Sequence, residues 1–378
     1  MKTMKHIHIT LVGGQPMPPY LGIIDLHPDK VILIYSPETS AEAQRIVSLC
    51  NGIDAETVLM NPVNINQIEQ EITSLEKRLH HERVTINLTG GTKPWSLLFY
   101  SIFQKHPNAQ FFYIDQNNVM TDLDTHQSHP LGQIDRILQF KLYGTPLQKF
   151  RSLTEYTDED WQVCRKIMRA RAFNYQSFNS LTIVLDKKEK DYIEANIEGE
   201  ITRDHGQSIS WDKSNHQVTL TLVNRKRGQK TFEFASPNVM SLMFFAGWFE
   251  FLIAKSLSYN LHIIKMWINC EFSSKSNNTK NEVDIIADLG TKLLFVECKT
   301  QINKVNDIDK FHSVLKNYGG MGSKGLFVTH SPLSQIAIEK CKDNGITHFH
   351  FDHQKDFNTN TEALNNIVNE MIMSINPR

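Results

Sequence analysis

The chain has 378 residues, which predicts two or three domains, and its 40% hydrophobic and 21% charged residues are typical of a globular protein. A formal net charge of −1 excludes a protein that coats nucleic acid over its whole surface, so any contact with nucleic acid must be local. Five cysteines without a Cys-x-x-Cys pair give no support for a zinc knuckle or a disulfide framework, and no apolar run is long enough for a membrane span. We expect a cytoplasmic protein without a signal peptide.

Residues 1 to about 145 alternate between short runs rich in Ile and Val and longer stretches with helical periodicity. The predicted strands are Ile7–Val12, Val31–Tyr35, Thr57–Met60, Val84–Leu88 and Phe111–Asp115, and the predicted helices are Ala41–Cys50, Ile65–His80 and Pro94–Lys105. Strands that alternate with helices indicate βαβ crossovers. The sequence therefore predicts a doubly wound, mostly parallel α/β sheet.

The fourth of these strands leads directly into Thr89-Gly90-Gly91-Thr92-Lys93, and Pro94 opens the next helix. Glycines at this junction let a phosphate approach the amides at the positive end of the helix dipole, and Lys93 adds a charge. The pattern is neither a Walker A loop nor Gly-x-Gly-x-x-Gly. A structural glycine turn is the alternative interpretation, although a turn does not require the lysine or the threonines. Because ligands of open α/β sheets bind at the carboxyl ends of the strands, other loops at this edge are expected to contribute.

Residues 146–236 change in character. A helical connector, Tyr156–Phe173, precedes four predicted strands, Leu181–Leu185, Tyr192–Glu198, Gln217–Leu222 and Thr231–Phe234. The segment Asn224–Lys230 between the last two strands carries four cations. A solvated hairpin turn is the favoured interpretation of this segment, and a contact with nucleic acid stays open.

Residues 237–378 are predicted to form a mixed α/β domain, so the expected division is 1–145, 146–236 and 237–378. The predicted helices are Val239–Leu257, Asp307–Asn317, Leu333–Lys342 and Glu362–Met373, and the predicted strands are Ile263–Asn269, Val283–Asp288, Leu293–Cys298 and Gly325–Thr329. The second and third strands flank Asp-Leu-Gly-Thr-Lys, which predicts a tight hairpin turn at Gly290–Thr291.

A turn that is symmetric about Gly290–Thr291 pairs residues whose numbers sum to 581, so Asp284 faces Glu297. Their Cβ atoms would then lie about 4.5–5.5 Å apart, and strand alternation places Lys299 on the same face. Opposed carboxylates repel each other, and a divalent cation would offset the repulsion. A salt bridge is the alternative interpretation. The functional interpretation is favoured because both charges lie in otherwise apolar strands.

The residues Asp284…Glu297-Cys298-Lys299 resemble the core motif of the restriction-endonuclease-like, PD-(D/E)XK superfamily. This resemblance implies a metal-dependent endonuclease with Lys299 as the catalytic lysine. Its Mn²⁺ or Mg²⁺ would be held by Asp284, Glu297 and the main-chain carbonyl of Cys298. Glu250 lies on the predicted helix that often supplies a further catalytic and metal-binding carboxylate in that superfamily. The residues alone favour a helix-surface glutamate almost equally.

Taken together, Thr89–Lys93 and Asp284…Glu297-x-Lys299 make nearly the whole chain similar to nucleases with a CRISPR-associated Rossmann-fold (CARF) domain, which are ancillary effectors of type III CRISPR antiviral defence. The resemblance implies a homodimer that binds a cyclic oligoadenylate, usually cyclic tetra-adenylate, as an allosteric activator of DNA or RNA cleavage. Without the activator, the paired nuclease halves would be misaligned or apart. The activator-binding candidates are Gly90, Gly91, Thr92 and Lys93, together with Thr89, Gln15, Ser36 and Thr39.

Other functions stay open on the residues alone. One is a ligand-sensing regulator or scaffold in which Asp284, Glu297 and Lys299 form only a salt bridge. Another is a nucleotide-dependent transferase that uses the Gly-Gly loop as its catalytic site. Whether the sensor domain also degrades its activator is a further open point.

Overall fold

The computed structural model describes residues 4–273, 281–290, 292–301, 306–319 and 323–375. The chain divides into two compact units, Met1–Leu147 and Gln148–Arg378. Nearly all of the segment 146–236 therefore lies in the second unit, and the expected division into three parts stays a prediction.

The first unit is built on a seven-stranded sheet. Its strands are β1 (His6–Leu11), β2 (Lys30–Tyr35), β3 (Asp54–Leu59), β4 (Arg83–Asn87), β5 (Ala109–Ile114), β6 (Val119–Asp122) and β7 (Ser128–Pro130), and its helices are α1 (Met17–Leu26), α2 (Ser40–Leu49), α3 (Ile65–Leu79), α4 (Lys93–Phe103) and α5 (Arg136–Leu142). The strand order is β3-β2-β1-β4-β5-β6-β7. The first five strands are parallel and the last two antiparallel, which confirms the predicted sheet.

Helices cover both faces of this sheet, and the central strands explain why. In β2, Ile32 and Ile34 pack in one cluster with residues of α3 and α4, whereas Val31 and Leu33 pack in another with residues of α1 and α2. Alternate side chains of a strand point to opposite faces, so a strand buried on both faces has a continuous apolar sequence. The run Lys30–Tyr35 therefore has the composition of a buried parallel strand.

A polar seam interrupts the apolar packing between β1 and β4. His8 is fully buried, its Nδ1 lies 2.8 Å from Thr85 Oγ1, and its Nε2 has no hydrogen-bond partner among the described residues. Burial, and next the neighbouring His6, lower the pKa of His8 from 6.5 to about 3, whereas a hydrogen bond with Thr85 acts in the opposite direction. The folded chain therefore holds this ring neutral.

This burial predicts acid-sensitive folding of the first unit. Because the folded pKa of His8 is depressed, its contribution to stability is present above pH 6.5 and is lost as the pH falls towards 3. Between pH 7 and pH 5 the loss amounts to about 2 kcal/mol. Hydrogen exchange of β1 amides, corrected for intrinsic rates, should show this loss in the wild type and a flatter profile in His8→Gln. Equal losses in both proteins would contradict the assignment to His8.

The second unit contains two sheets. Its strands are β8 (Leu147–Arg151), β9 (Glu198–Arg203), β10 (Gln207–Asp212), β11 (Gln217–Asn224), β12 (Gly228–Ala235), β13 (Lys265–Phe272), β14 (Glu282–Asp288), β15 (Leu293–Lys299), β16 (Lys324–Thr329) and β17 (Ile346–His350). Its helices are α6 (Asp158–Phe173), α7 (Tyr175–Thr182), α8 (Lys187–Ala195), α9 (Val239–Met243), α10 (Gly247–Leu257), α11 (Asn306–Tyr318), α12 (Gln335–Asp343) and α13 (Phe357–Ile375). The four-stranded sheet has the order β12-β11-β10-β9, and the six-stranded sheet has the order β17-β16-β15-β14-β13-β8.

Two predicted strands of the second unit are wrong. Leu181–Leu185 overlaps the end of α7, and most of Tyr192–Glu198 lies in α8. The N-terminal caps explain the helices: the Asn174 side chain accepts from the Ser177 amide, and Asp186 and Glu189 form a reciprocal capping box. The sequence Asp186-Lys-Lys-Glu189 carries this signal, and it outweighs the β-branched residues nearby.

The predicted helix Val239–Leu257 is also wrong as a single element, because it breaks into α9 and α10. Phe245 and Ala246 both have positive φ angles, 60° and 71°, between the two helices. Gly247 then lies so close to the Ser241 carbonyl that a Cβ atom would overlap it. A change of chain direction at this point therefore requires the glycine.

Helices that could cross a membrane are not found in the described part of the chain.

Candidate functional site

The hairpin β14–β15 carries the predicted catalytic residues. Four pairs, Ile285 with Val296 through Asp288 with Leu293, have residue numbers that sum to 581, which confirms the predicted register. The turn centre at Gly290–Thr291 falls partly outside the described residues, since Thr291 is not among them. The described ladder ends one pair before Asp284 and Glu297. Asn269 of β13 is opposite Asp284 by the register of the neighbouring pairs, and its φ of 53° is strained in a strand.

The structure brings Asp284, Glu297 and Lys299 together. Lys299 Nζ lies 2.7 Å from Glu297 Oε1 and 3.8 Å from Asp284 Oδ2. Asp284 Oδ2 also accepts a hydrogen bond from the Cys298 amide at 2.6 Å, and Lys299 Nζ lies 3.4 Å from the Cys298 carbonyl oxygen. Glu297 is fully buried, whereas the Lys299 side chain is 30% exposed. Lys299 is therefore the most exposed side chain of the cluster, and the Asp284 side chain is 16% exposed.

The carboxylates hold Lys299 in its charged form. Burial by itself lowers the pKa of Lys299, but Asp284, Glu297 and Glu250 raise it well above its ordinary value. Burial, and then the same three acidic residues, raise the pKa of the Cys298 thiol well above its ordinary value. The Cys298 side chain packs in the hydrophobic core with Ile285 and Val296, so Cys298 can offer its main-chain carbonyl to a cation at the cluster.

Glu250 lies in the first turn of α10, a helix that packs against β13, β14 and β15. Its effect on the pKa of Lys299 places its charge near the hairpin cluster. The strained residues Phe245 and Ala246 set the entry of this helix. A non-glycine residue with a positive φ angle costs of order 1–3 kcal/mol, and such strain is concentrated at functional sites.

The donors in this cluster are oxygen atoms, which suit a hard divalent ion. The carboxylate oxygens of Glu250, Asp284 and Glu297 are not all within 4.8 Å of one another, the spacing expected of three ligands of one ion. Among the described residues, only Glu76, His80 and His106 place their possible ligand atoms that close together. The group of Glu76, His80 and His106 is a poor metal site, because both ring nitrogens of His106 already form hydrogen bonds, one with the Leu79 carbonyl and one with the Asn108 amide. The fit to a cation therefore rests on the donors Asp284, Glu297 and the Cys298 carbonyl.

Several residues that surround Lys299 were not predicted from the sequence. The His330 amide, just after β16, donates to the Lys299 carbonyl at 3.0 Å, and His330 Nδ1 lies 3.5 Å from Arg171 Nη2. Burial, then Arg171, lower the pKa of His330 to about 3, so its ring is neutral. The hydroxyl of Tyr175 donates to Gln301 Oε1 at 2.8 Å. The sequence feature that could have pointed to His330 was its position directly after a predicted strand.

In the first unit, the predicted ligand loops lie at the carboxyl edge of the sheet. The chain proceeds from β1 outward to β2 and β3, and then returns to β4 and β5 on the other side of β1. The loops after β1 and β4 therefore flank the switch point, where open α/β sheets bind ligands. Gln15 follows β1, and Thr89–Lys93 joins β4 to α4.

The two glycines of this loop have a structural role. A Cβ on Gly90 would overlap the Leu11 carbonyl oxygen, and Gly91 has a φ of 72°. The loops after β1 and β4 can approach closely only because of these glycines. In the described residues, the amides of Gly90 and Gly91 donate no hydrogen bond within the chain, so both can serve an anion at the amino end of α4.

The hydroxyl groups at this edge differ in availability. The oxygens of Thr89 and Thr92 accept from the amides of Ile114 and Trp95, which leaves their protons for a ligand. Ser36 Oγ instead donates to Glu38 Oε2 at 2.6 Å, and Thr39 Oγ1 accepts from the Ser36 amide. Ser36 and Thr39 are thus engaged in a local cap.

Lys93 and Gln15 complete the set of predicted binding residues. Lys93 is exposed and forms no ion pair with any described residue. Gln15 is also exposed, and its Oε1 accepts from the Tyr143 hydroxyl at 3.1 Å. The only formal positive charge among the predicted binding residues is therefore that of Lys93.

The fold consists of a doubly wound α/β domain followed by a unit whose β14–β15 hairpin carries a cluster of two carboxylates and a lysine. The family model for the Card1 CARF domain matches residues 7–141, and a restriction endonuclease family model matches residues 265–353. The chain accordingly contains a CARF domain and a restriction-endonuclease-like domain. No curated protein sequence matches the chain significantly.

Several solved structures share this fold. Can2 from Sulfobacillus thermosulfidooxidans, determined in complex with cyclic tetra-adenylate, is 20% identical with a TM-score of 0.63, over 98% of this chain and 99% of Can2. Protein VC1899 from Vibrio cholerae is 16% identical with a TM-score of 0.62, over 97% and 98% of the two chains. A type III CRISPR defence DNA nuclease activated by cyclic oligoadenylate is 16% identical with a TM-score of 0.52, over 92% of this chain and 51% of that nuclease.

Proposed function

We propose that this chain is a divalent-metal-dependent endonuclease of type III CRISPR defence, activated by a cyclic oligoadenylate, with cyclic tetra-adenylate as the favoured activator. The observation that carries the proposal is the cluster of Asp284, Glu297 and Lys299, in which an amine lies 2.7 Å and 3.8 Å from the two carboxylates. The similar Can2 structure, which contains cyclic tetra-adenylate, supports the choice of activator.

Asp284, Glu297 and the Cys298 carbonyl are the donors that would hold Mn²⁺ or Mg²⁺, with Glu250 as the further acidic residue. When bound, such an ion supplies Lewis-acid stabilisation of charge on a phosphate. Residues of the hairpin would supply the other contributions to catalysis. The Cys298 amide fixes the Asp284 carboxylate, and Glu297 orients Lys299 Nζ, whose ammonium would stabilise negative charge that develops on the phosphate oxygens.

Activation is proposed to begin at the switch point of the CARF domain. The amides of Gly90 and Gly91, the hydroxyls of Thr89 and Thr92, and the Lys93 ammonium would bind the activator phosphates. Gln15 is a further candidate, and Ser36 and Thr39 are weaker ones because they cap each other. A homodimer that holds one activator between two CARF domains would be switched on only if its active form binds the activator more tightly than its inactive form.

A cleavage assay tests the proposed function. Purified chain would be incubated with Mn²⁺ or Mg²⁺, a panel of cyclic oligoadenylates of different ring size, and DNA or RNA substrates. We expect cleavage that requires both a divalent ion and one member of the panel. Cleavage that is insensitive to chelators, or equal with and without every activator, would be evidence against the proposal. Complete absence of cleavage would favour the alternative that the chain is a ligand-sensing regulator or scaffold without nuclease activity.

Lys93→Ala tests the activator site separately from the chemistry. Loss of one charge-assisted contact costs about 1.5–3 kcal/mol, so the activator concentration for half-maximal cleavage should rise by about 10–100-fold. Cleavage at saturating activator should be retained. Lys105→Ala, an exposed lysine just beyond the other end of α4, is the matched control and should leave the activation curve unchanged. Identical activation curves for the two variants would show that Lys93 does not bind the activator.

A further inference from the structure

The hairpin β11–β12 presents a concentrated positive charge. Arg225, Lys226 and Arg227 form its turn, and Lys230 follows at the start of β12. All four side chains are exposed. We call the segment 224–230 the basic hairpin. It is a local feature, since the net charge of the chain is −1.

Helix α6 extends this charge along the neighbouring surface. Arg165, Lys166 and Arg169 lie on one exposed stripe of the helix, and Lys166 Nζ lies 3.4 Å from the Glu233 carbonyl oxygen of β12. The carboxylate of Glu233 is on the other face of β12 from Lys230, because side chains of a strand alternate. Within the described part of the chain, none of these seven cations forms a salt bridge.

Hydrogen bonds fix the basic hairpin near the candidate nuclease site. Asn224 Nδ2 donates to the Phe173 carbonyl at 2.7 Å, and Asn174 Nδ2 donates to the Val223 carbonyl at 2.6 Å. These bonds join the base of the turn to the boundary between α6 and α7.

The same boundary contacts the strand end that carries Lys299. Tyr175, the residue after Asn174, donates to Gln301, which lies two positions beyond Lys299. Arg171 approaches His330, whose amide donates to the Lys299 carbonyl. The base of the basic hairpin is therefore linked through the α6–α7 boundary to the strand end that carries Lys299.

We propose that the basic hairpin and the exposed cations of α6 bind the phosphate backbone of the nucleic-acid strand that the nuclease centre cuts. The inference rests on the proposed nuclease function and adds the surface that holds its substrate. Exposed cations that form no salt bridge can neutralise phosphates and release counterions, and this binding is independent of sequence. The anchored base of the turn reduces the conformational entropy that the hairpin loses on binding.

The test compares two triple variants of the full chain. Arg225→Gln, Lys226→Gln and Arg227→Gln together remove the charge of the turn, and Lys187→Gln, Lys188→Gln and Lys190→Gln remove the same charge from exposed positions of α8. Binding to labelled single- and double-stranded DNA and RNA is measured in chelator over a range of salt concentrations. Cleavage is then measured with metal and activator.

We expect the hairpin variant to bind about 10–100-fold more weakly at physiological salt, with a salt-dependence slope reduced by about 2–3. Its KM should rise while kcat at saturating substrate stays unchanged. The α8 variant should behave like the wild type. Equal weakening in both variants, or wild-type binding by the hairpin variant, would overturn the inference while leaving the nuclease function intact.

Two further outcomes separate this inference from its premise. If the wild type neither binds nor cleaves any of the substrates, the proposed function itself is wrong and the inference is overturned with it. If the hairpin variant loses binding to phosphatidylserine vesicles but not to oligonucleotides, the basic hairpin is a membrane contact and the inference is overturned alone.

Discussion

Lys299→Ala is expected to lower kcat for cleavage by about 10²–10³-fold, the usual effect of removing one group that stabilises charge in a transition state. Binding of the cyclic oligoadenylate should be unchanged, because the Lys299 side chain lies in the other compact unit. Single-turnover cleavage and calorimetric titration of the activator measure the two effects. The matched control is Lys342→Ala, an exposed lysine of α12, which should retain full activity.

Stability complicates the interpretation of this variant, since Glu297 is fully buried beside the amine. Removing one partner of a buried ion pair costs about 3–5 kcal/mol. The double variant Lys299→Met with Glu297→Gln removes both charges, and we expect it to be more stable than Lys299→Ala and equally inactive. Cleavage at the wild-type rate by a folded form of either variant would contradict the role of this cluster in catalysis.

Gly90→Ala is expected to destabilise the first unit by about 1–3 kcal/mol, as overpacking does, because its Cβ would overlap the Leu11 carbonyl oxygen. The loop after β4 would have to move away from β1, which would also displace the amides at the amino end of α4. We therefore expect weaker binding of cyclic tetra-adenylate together with a lower Tm. Differential scanning calorimetry and calorimetric titration provide the two measurements.

Gly14→Ala is the matched control for this prediction. Gly14 lies in the loop after β1 at the same edge, and a Cβ there would meet no atom within 4 Å. Its change in stability should lie within about 0.5 kcal/mol, as for other unconstrained surface positions. A Gly90→Ala protein as stable as Gly14→Ala would show that the loop can shift without cost.

The glycines at positions 90 and 91 illustrate a limit of motif analysis. The sequence suggested two explanations, a structural turn and a phosphate-binding loop. The positive φ of Gly91 and the contact of Gly90 with Leu11 show that the turn requires both residues, independently of any ligand. The two explanations are therefore compatible, and the proposed binding role would depend on Lys93 and the amides, which the mutations above test.

The sequence by itself determined the doubly wound sheet and the register of β14–β15. Both depend on local rules: alternation of side chains along a strand, and the symmetry of a short turn. These rules were sufficient to predict that Asp284, Glu297 and Lys299 share one face of a hairpin. The shared face follows from residue spacing, whatever the rest of the chain does.

Only the tertiary structure decided the break between α9 and α10, and the surroundings of Lys299. The break is fixed by a hydrogen bond from the Phe245 amide to the Thr182 carbonyl, and Arg171 meets His330 across 159 residues of sequence. Such contacts depend on packing between distant segments, and neither residue periodicity nor capping signals carry that information.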